Sequence, residues 1–349
     1  MSVASDQLKA LVDKVSPGSL PQKLKESVLI RLDQLSRLTS SPTFLPEFDR
    51  INTYIDWILD LPWEKRTNDL LDLDHAKVVL DKNHNGLFEI KERILEYISV
   101  MKLEEGKGEK DVFKRAPILC FVGLVGTGKT TFAFSIAEAL GRKIARIPFG
   151  GMGDPLDLRG QSRMHPEAEP GKIIKALKIT QSKNPVILLD EIDRVTDEGR
   201  ASIMGVLVEL LDPEQNKEFV DHYVDYPFDL SEVLFITTAN NMTKISTAVL
   251  DRIEPIMMPA YSDQEKIAIG RDYILPKIIK NSGIPDNAIT LDETVWPQIV
   301  RPLGFDAGIR TLERTIEGIV RKVAKDIVEG KGSSFKITSE NIKEFLPNY

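Results

Sequence analysis

One stretch of this 349-residue chain constrains its fold more than any other: Pro117 to Thr131, PILCFVGLVGTGKTT. Ile118-Leu-Cys-Phe-Val122 is a continuous apolar run, the pattern of a strand buried on both faces. It leads into Gly123-Leu-Val-Gly126-Thr127-Gly128-Lys129-Thr130, and Phe132 to Leu140 is compatible with a helix. The spacing G-x-x-x-x-G-K-[ST] between a strand and a helix is a phosphate-binding pattern. Its glycines let backbone N–H groups turn inward around phosphate oxygens, and the helix N-terminus adds its positive dipole end. Lys129 is suited to the β- and γ-phosphates and the Thr130 hydroxyl to Mg²⁺. The expected nucleotide contacts are Gly123, Gly126, Thr127, Gly128, Lys129, Thr130 and Thr131.

Around this loop, strands and helices alternate from Pro117 to Met258. Strands are predicted at 118–122, 144–148, 186–189, 233–238 and 255–258, and helices at 129–140, 171–182 and 201–211. Short buried strands alternating with helices imply an α/β fold, a parallel sheet covered by helices on both faces. Val186-Ile-Leu-Leu189 ends in Asp190 and Glu191, sixty residues beyond Thr130 and so spaced for a nearby strand of the same sheet. Asp190 is placed to bind Mg²⁺ through water, and Glu191 to polarise a water that attacks the γ-phosphate. Leu234 to Ala239 ends in Asn240, an amide that either donates to the γ-phosphate or simply starts a turn with Asn241. Arg252 lies at a helix end, where it pairs with Asp251 or Glu254 or reaches a neighbouring subunit's phosphate; Arg310 opens a later helix and either bends over the nucleotide or is a solvated charge.

Before the loop, residues 5–60 read as helices broken at Pro17-Gly18 and Ser40-Ser41-Pro42, with Leu24, Val28, Leu32 and Leu35 at helical spacing. Leu61-Pro62-Trp63 stops them, and Glu64 to Leu73 is polar enough for a linker. Leu73 to Asp81 reads as a short helix, His84-Asn85-Gly86 as a turn, Leu87 to Met101 as a longer helix, and Lys102 to Lys114 as a charged surface loop. After a Ser262–Glu265 capping box the chain is helical to about 330, with only Ile289–Leu291 and Phe335–Ile337 strand-like. The expected units are an N-terminal helical segment (1–63), a large α/β domain (64–260) and a small, mostly helical domain (261–349).

The formal charge of −7 argues against a dedicated nucleic-acid binder. No apolar run approaches membrane-spanning length, and the N-terminus carries no secretory signal. The single cysteine, Cys120, excludes an internal disulfide framework and fits a reducing compartment: cytoplasmic, or mitochondrial matrix or peroxisomal in a eukaryote.

Phosphate loop, Asp-Glu strand, Asn-tipped strand and two arginines in this order resemble an AAA+ ATPase. Longer stretches resemble the ATPase module of the Lon protease family: Tyr54-Ile-Asp-Trp-Ile-Leu-Asp-Leu-Pro-Trp63, Leu211-Asp-Pro-Glu-Gln-Asn216, Asp221-His-Tyr223, Leu250-Asp-Arg-Ile-Glu254 and Gly308-Ile-Arg310. By that resemblance Lys129 and Thr130 are Walker A residues, Asp190 and Glu191 Walker B, Asn240 the first sensor, Arg252 an arginine finger acting in trans and Arg310 the second sensor. His84 would line the adenine end. The resemblance implies ATP and Mg²⁺ as cofactors, a homohexameric ring, and the unfolding and threading of protein substrates. The family's Ser–Lys protease motif is not found before Tyr349, so peptide cleavage is not expected of these residues themselves. In the pore loop, Met164-His165-Pro166 stands where the family carries an aromatic–aliphatic pair, which raises a second reading, a nucleotide-gated adaptor that grips no substrate.

Overall fold

The computed structural model describes residues 3–105, 118–302, 304 and 308–347. Three amphipathic helices come first, α1 (Val3–Val15), α2 (Gln22–Ser36) and α3 (Phe44–Asp60), followed by α4 (Leu73–Asn83) and α5 (Phe88–Glu105). The α/β unit then runs β1 (Ile118–Val122), α6 (Lys129–Ala139), β2 (Ile144–Pro148), α7 (Leu156–Arg159), α8 (Lys172–Thr180), β3 (Val186–Asp190) and α9 (Arg200–Leu210). It continues with a two-residue hairpin, β4 (Phe219–Val220) and β5 (Pro227–Phe228), then β6 (Leu234–Ala239), α10 (Thr247–Leu250) and β7 (Ile253–Met257). The C-terminal lid comprises α11 (Asp263–Ile269), α12 (Leu275–Ser282), β8 (Ile289–Leu291), α13 (Trp296–Val300), α14 (Arg310–Val328), β9 (Phe335–Ile337) and α15 (Ile342–Phe345).

The five long strands form one parallel sheet in the order β2-β3-β6-β1-β7, the α/β fold expected from their apolar runs. Because side chains alternate along a strand, the sheet has two apolar faces. Leu119 and Phe121 of β1, Leu188 of β3 and Ile236 of β6 pack with α4, α5 and α6. Cys120, Val122, Ile187, Leu189 and Phe235 face the other way, into a core that also contains Leu24, Val28, Ile55 and Ile58 of the N-terminal helices. The N-terminal helices therefore share the core of one sheet face. The lid has its own core around Trp296, Ile316 and Ile319.

Three expectations change. Residues 64–72 are not a free linker: Arg142, with a fully buried side chain, forks onto Asp69 at 2.7 and 2.5 Å. Thr67 and Asn184 exchange two hydrogen bonds of 2.9 Å, so polar side chains do the anchoring that apolar ones do elsewhere. Helix α5 runs on through Lys102-Leu103-Glu104-Glu105, all good helix formers, before the rest of the expected charged loop passes outside the described residues. The last strand starts earlier than expected, at Ile253, because its register against Ile118 begins there. Among the described residues no helix is long and apolar enough to cross a membrane.

Candidate functional site

The site is built where β1, β3 and β6 end side by side. At the end of β1 the chain turns through Gly126 (φ +83°) and Gly128 (φ +93°), left-handed conformations that side chains disfavour, and Gly128 caps α6. Gly123 has no room for a side chain, since a Cβ would lie 2.8 Å from Met258. Thr127 donates to the Leu124 carbonyl (2.9 Å), Thr131 to the Gly128 carbonyl (2.6 Å), and Tyr261 of the lid to the Thr127 carbonyl (3.2 Å). The loop is thus fixed by two of its own hydroxyls and one from the lid.

Lys129 donates to the carbonyls of Gly123 (2.7 Å) and Leu124 (2.9 Å) and to Asn240 Oδ1 (2.9 Å). Burial pushes its ammonium below the ordinary lysine range, against the pull of Glu191 and Asp190. Thr130 Oγ1 donates to Asp190 Oδ1 at 3.2 Å, so the two residues expected to flank Mg²⁺ already touch. Asn240 Nδ2 is buried and has no acceptor among the described residues. A buried amide donor left open beside a lysine and a glycine loop fits an anionic oxygen, since unpaired buried donors are otherwise costly.

The carboxylates of Asp190 and Glu191 are held by residues the motif reading missed. Thr238 donates to Asp190 Oδ1 (2.5 Å) and accepts the Glu191 backbone N–H (2.8 Å). Glu191 itself has φ +59°, a strained conformation for a non-glycine residue, of the kind found where a side chain must be aimed. Arg194 faces its carboxylate at 3.7 Å. Asp193 accepts the backbone N–H groups of Asn240 and Asn241, both at 3.1 Å, and thereby fixes where the sensor amide points. A signal existed for Asp193, an acid three residues past Asp190; Thr238 follows a second threonine, Thr237, in its strand and carried none.

Val125, Gly126, Gly128, Lys129, Thr130, Thr131, Asp190, Glu191, Ile309, Arg310 and Glu313 line one cavity of about 150 Å³. The lid closes it. Ile309 N–H donates to the Gly126 carbonyl at 3.1 Å, and a Cβ on Gly308 would lie 2.4 Å from the Val125 carbonyl oxygen. That contact sets Arg310, at the start of α14, over the phosphate loop.

Arg252 lies outside this cavity. It precedes Ile253, which pairs with Ile118, so it sits at the opposite end of the strands from the loop, about 16 Å of strand away. Its guanidinium donates to Asp212 Oδ2 (3.0 Å) and the Ala248 carbonyl (2.8 Å), not to Asp251 or Glu254. Burial raises the Asp212 carboxyl, but hydrogen bonds from Arg252 and from the N–H groups of Glu214 and Gln215 outweigh it and hold the group below its ordinary value. His84, expected at the adenine end, is buried: its ring stacks on Phe132 (3.6 Å between centroids, 7°) and its Nε2 meets Ser135 Oγ at 2.8 Å. What it presents toward the lid is the turn after it, where Gly86 abuts Glu265.

Met164 and His165 sit at the exposed tip of the loop between Gly160 and Gly171, with Met164 86% accessible. The neck is pinned by Asp221, fully buried, which accepts N–H groups from Gly171 (2.7 Å), Tyr223 (2.8 Å) and Val224 (3.0 Å). Burial raises the Asp221 carboxyl despite these donors. Arg163 stacks over the Tyr54 ring at 3.9 Å, tying the loop to α3 beside a groove of about 850 Å³.

Residues 119–260 match the family model described as "ATPase family associated with various cellular activities (AAA)". Residues 280–337 match the "Lon protease AAA+ ATPase lid domain", in the unit that carries Arg310. The chain belongs to the Lon family as its AAA+ ATPase module. It is 44% identical over 344 residues to a Lon protease of Lawsonia intracellularis, covering 98% of this chain and 40% of that protein. Lon protease 2 of Herpetosiphon aurantiacus is 43% identical over 340 residues (97% and 41%), and a Lon protease of Halothermothrix orenii 42% over 334 residues (96% and 41%). The chain spans about two-fifths of the length of these curated relatives. Membership of an AAA family implies nucleotide binding, and the donor set around Lys129 and Asn240 suits it.

Proposed function

We propose that this Lon-type module hydrolyses ATP and converts the turnover into force on a polypeptide. The observation that carries the reading is the convergence of Lys129, Thr130, Asp190, Glu191 and Arg310 on one cavity, with the open amide donor of Asn240 beside Lys129. The phosphate-loop N–H groups and Lys129 bind and orient the β- and γ-phosphates. Mg²⁺, held by Thr130 and, through water, by Asp190, would neutralise charge on those phosphates. Glu191 takes a proton from the attacking water, Asn240 donates to the γ-phosphate or that water, and Arg310 offsets charge from the lid side.

Arg252 is too far from its own site to serve it, which supports a ring in which it completes a neighbour's site, hexameric as is typical of the family. The polypeptide contact is assigned to Met164 and His165 at the loop tip, and the setting to a reducing, cytoplasmic compartment, consistent with the buried thiol of Cys120. The adaptor alternative gains no support, because an exposed methionine on a pinned neck is suited to gripping.

The test uses two variants. Glu191→Gln abolishes turnover while nucleotide binding persists, and mixing it with Arg252→Ala subunits restores part of the activity. Unchanged turnover in Glu191→Gln removes the water-polarising role, and no recovery on mixing removes the action in trans. Threading is tested by ATP-driven unfolding of a tagged fluorescent protein, with Met164→Ala and His165→Ala as variants; inertness despite robust turnover refutes it.

A further inference from the structure

One cation beside the pocket has no part in the reading above. Arg146 lies on β2, the edge strand, between Ala145 and Ile147, which are buried in the core shared with the N-terminal helices. Alternation puts Arg146 on the opposite face, the α6 side, together with Leu188 and Asp190. Pro148 is the residue in register with Asp190, and it has no N–H to offer. Arg146, one pleat earlier, reaches forward instead: Nε at 2.7 Å and Nη2 at 2.5 Å, both on Asp190 Oδ2. The other oxygen, Oδ1, takes the hydroxyls of Thr130 and Thr238.

The pair is asymmetric. The Asp190 side chain is 3% exposed and the Arg146 side chain 50%. In another arginine fork, Arg142–Asp69, the cation is fully buried. At Asp190 the carboxylate is buried and the cation borders solvent, which leaves it a route off the carboxylate. A buried carboxylate served only by neutral hydroxyls is costly, whereas one facing two cations gathers repulsion between them.

We propose that Arg146 is a placeholder cation: it neutralises Asp190 while no metal is present and is exchanged when Mg²⁺ arrives with nucleotide, so that it sets how much Mg²⁺ the site requires. The proposal rests on the reading of Asp190 as the metal-facing carboxylate. A competitor raises the Mg²⁺ needed, so removing it lowers that need. Counting the two bonds onto the single oxygen Oδ2 as one charge-assisted contact sets the scale at about tenfold.

The experiment titrates Mg²⁺ against binding of a fluorescent ATP analogue in Glu191→Gln protein, which does not turn over, with and without Arg146→Gln. Half-saturation by Mg²⁺ is expected to fall about tenfold in Arg146→Gln and by less in Arg146→Lys, which keeps the charge and loses the fork. Unchanged or higher half-saturation overturns the proposal. Melting separates a merely structural pair from an exchangeable one. Exchange predicts that Arg146→Gln lowers the Tm without ligand and that Mg²⁺ with ATP closes the gap; an equal loss in both states refutes it. If Arg146→Gln does not fold, Arg146→Lys carries both measurements. If Mg²⁺ alters nucleotide binding in neither protein, the metal reading of Asp190 falls; if it alters both equally, only the role of Arg146 does.

Discussion

Replacing Thr238 by valine removes one hydroxyl and almost no volume, and the structure fixes what that hydroxyl does. It donates to the buried carboxylate of Asp190 at 2.5 Å and accepts the backbone N–H of Glu191 at 2.8 Å. Thr238 is fully buried, so water does not substitute readily for either contact. Leaving the N–H unpaired costs about 1–3 kcal/mol, and losing a charge-assisted donor to the carboxylate about 1.5–3 kcal/mol. Thr130 and Arg146 still serve Asp190, so a net loss of about 3 kcal/mol is expected. The function suffers separately. Glu191 sits at φ +59°, a conformation that costs about 1–2 kcal/mol and must be held in place. Without its anchor the backbone relaxes and the carboxylate swings off line, so kcat falls more than nucleotide affinity. Urea denaturation gives the stability, amide exchange at Glu191 gives the local contact, and Thr238→Ser is the control. Serine keeps the hydroxyl and loses a methyl, worth about 1 kcal/mol. If valine is as stable as serine and the Glu191 amide stays protected, the bridging role is refuted.

His84 makes folding pH-dependent. Burial first, and the Lys91 charge second, push its pKa from the ordinary 6.5 down to about 4. The unfolded chain takes up a proton near pH 6.5 that the folded chain refuses until about pH 4, so stability is full above pH 6.5 and falls by about 3 kcal/mol between the two. His84→Gln removes that component, read as the urea midpoint against pH; an unchanged slope counts against it. Gly308→Ala places a Cβ 2.4 Å from the Val125 carbonyl oxygen, a backbone contact that cannot yield. Exchange at the Ile309 N–H is expected to accelerate and nucleotide binding to weaken about tenfold, as Arg310 is carried away; no change in either removes the lid contact as the device that places Arg310. Asp221→Ala strips three N–H groups of their acceptor. Faster exchange at Gly171, Tyr223 and Val224 and a stability loss of about 2–4 kcal/mol are expected, and intact protection would show that the neck of the loop is held otherwise.

The parallel sheet was legible because β1 and β3 are buried on both faces and so read as unbroken apolar runs, alternating with helices and bounded by glycines and polar turns. Lys129 and Thr130 were legible because a glycine loop before a helix has few other uses. Thr238 and Arg146 were not, because their meaning is purely spatial. A threonine in a strand is unremarkable until its register brings it over Asp190, and an arginine on an edge strand reads as a solvent-facing charge until alternation turns it inward. The polar anchoring of residues 64–72 was missed for the same reason: Asp69, Arg142 and Asn184 are scattered along the chain and converge only in the fold. Asp212 lies far from Arg252 in sequence, and local charge arithmetic therefore offered Asp251 and Glu254 instead.

These pairings change what ligand binding means at this site. Before any phosphate arrives, Lys129 is held by Gly123, Leu124 and Asn240, Arg146 by Asp190, and Arg252 by Asp212. None of these cations is idle, so binding is an exchange of partners, and its net free energy is the small difference between two sets of charge-assisted bonds. Such an exchange discriminates sharply. A ligand that draws Lys129 off its carbonyls without bringing a metal leaves Arg146 on Asp190, and one that presents no γ-phosphate leaves the Asn240 amide unanswered. Only a ligand with both features replaces every bond it breaks within this cavity, from which the Arg252–Asp212 pair lies apart. On the function proposed above, selectivity for a metal-bound triphosphate would follow from this internal pairing of the site.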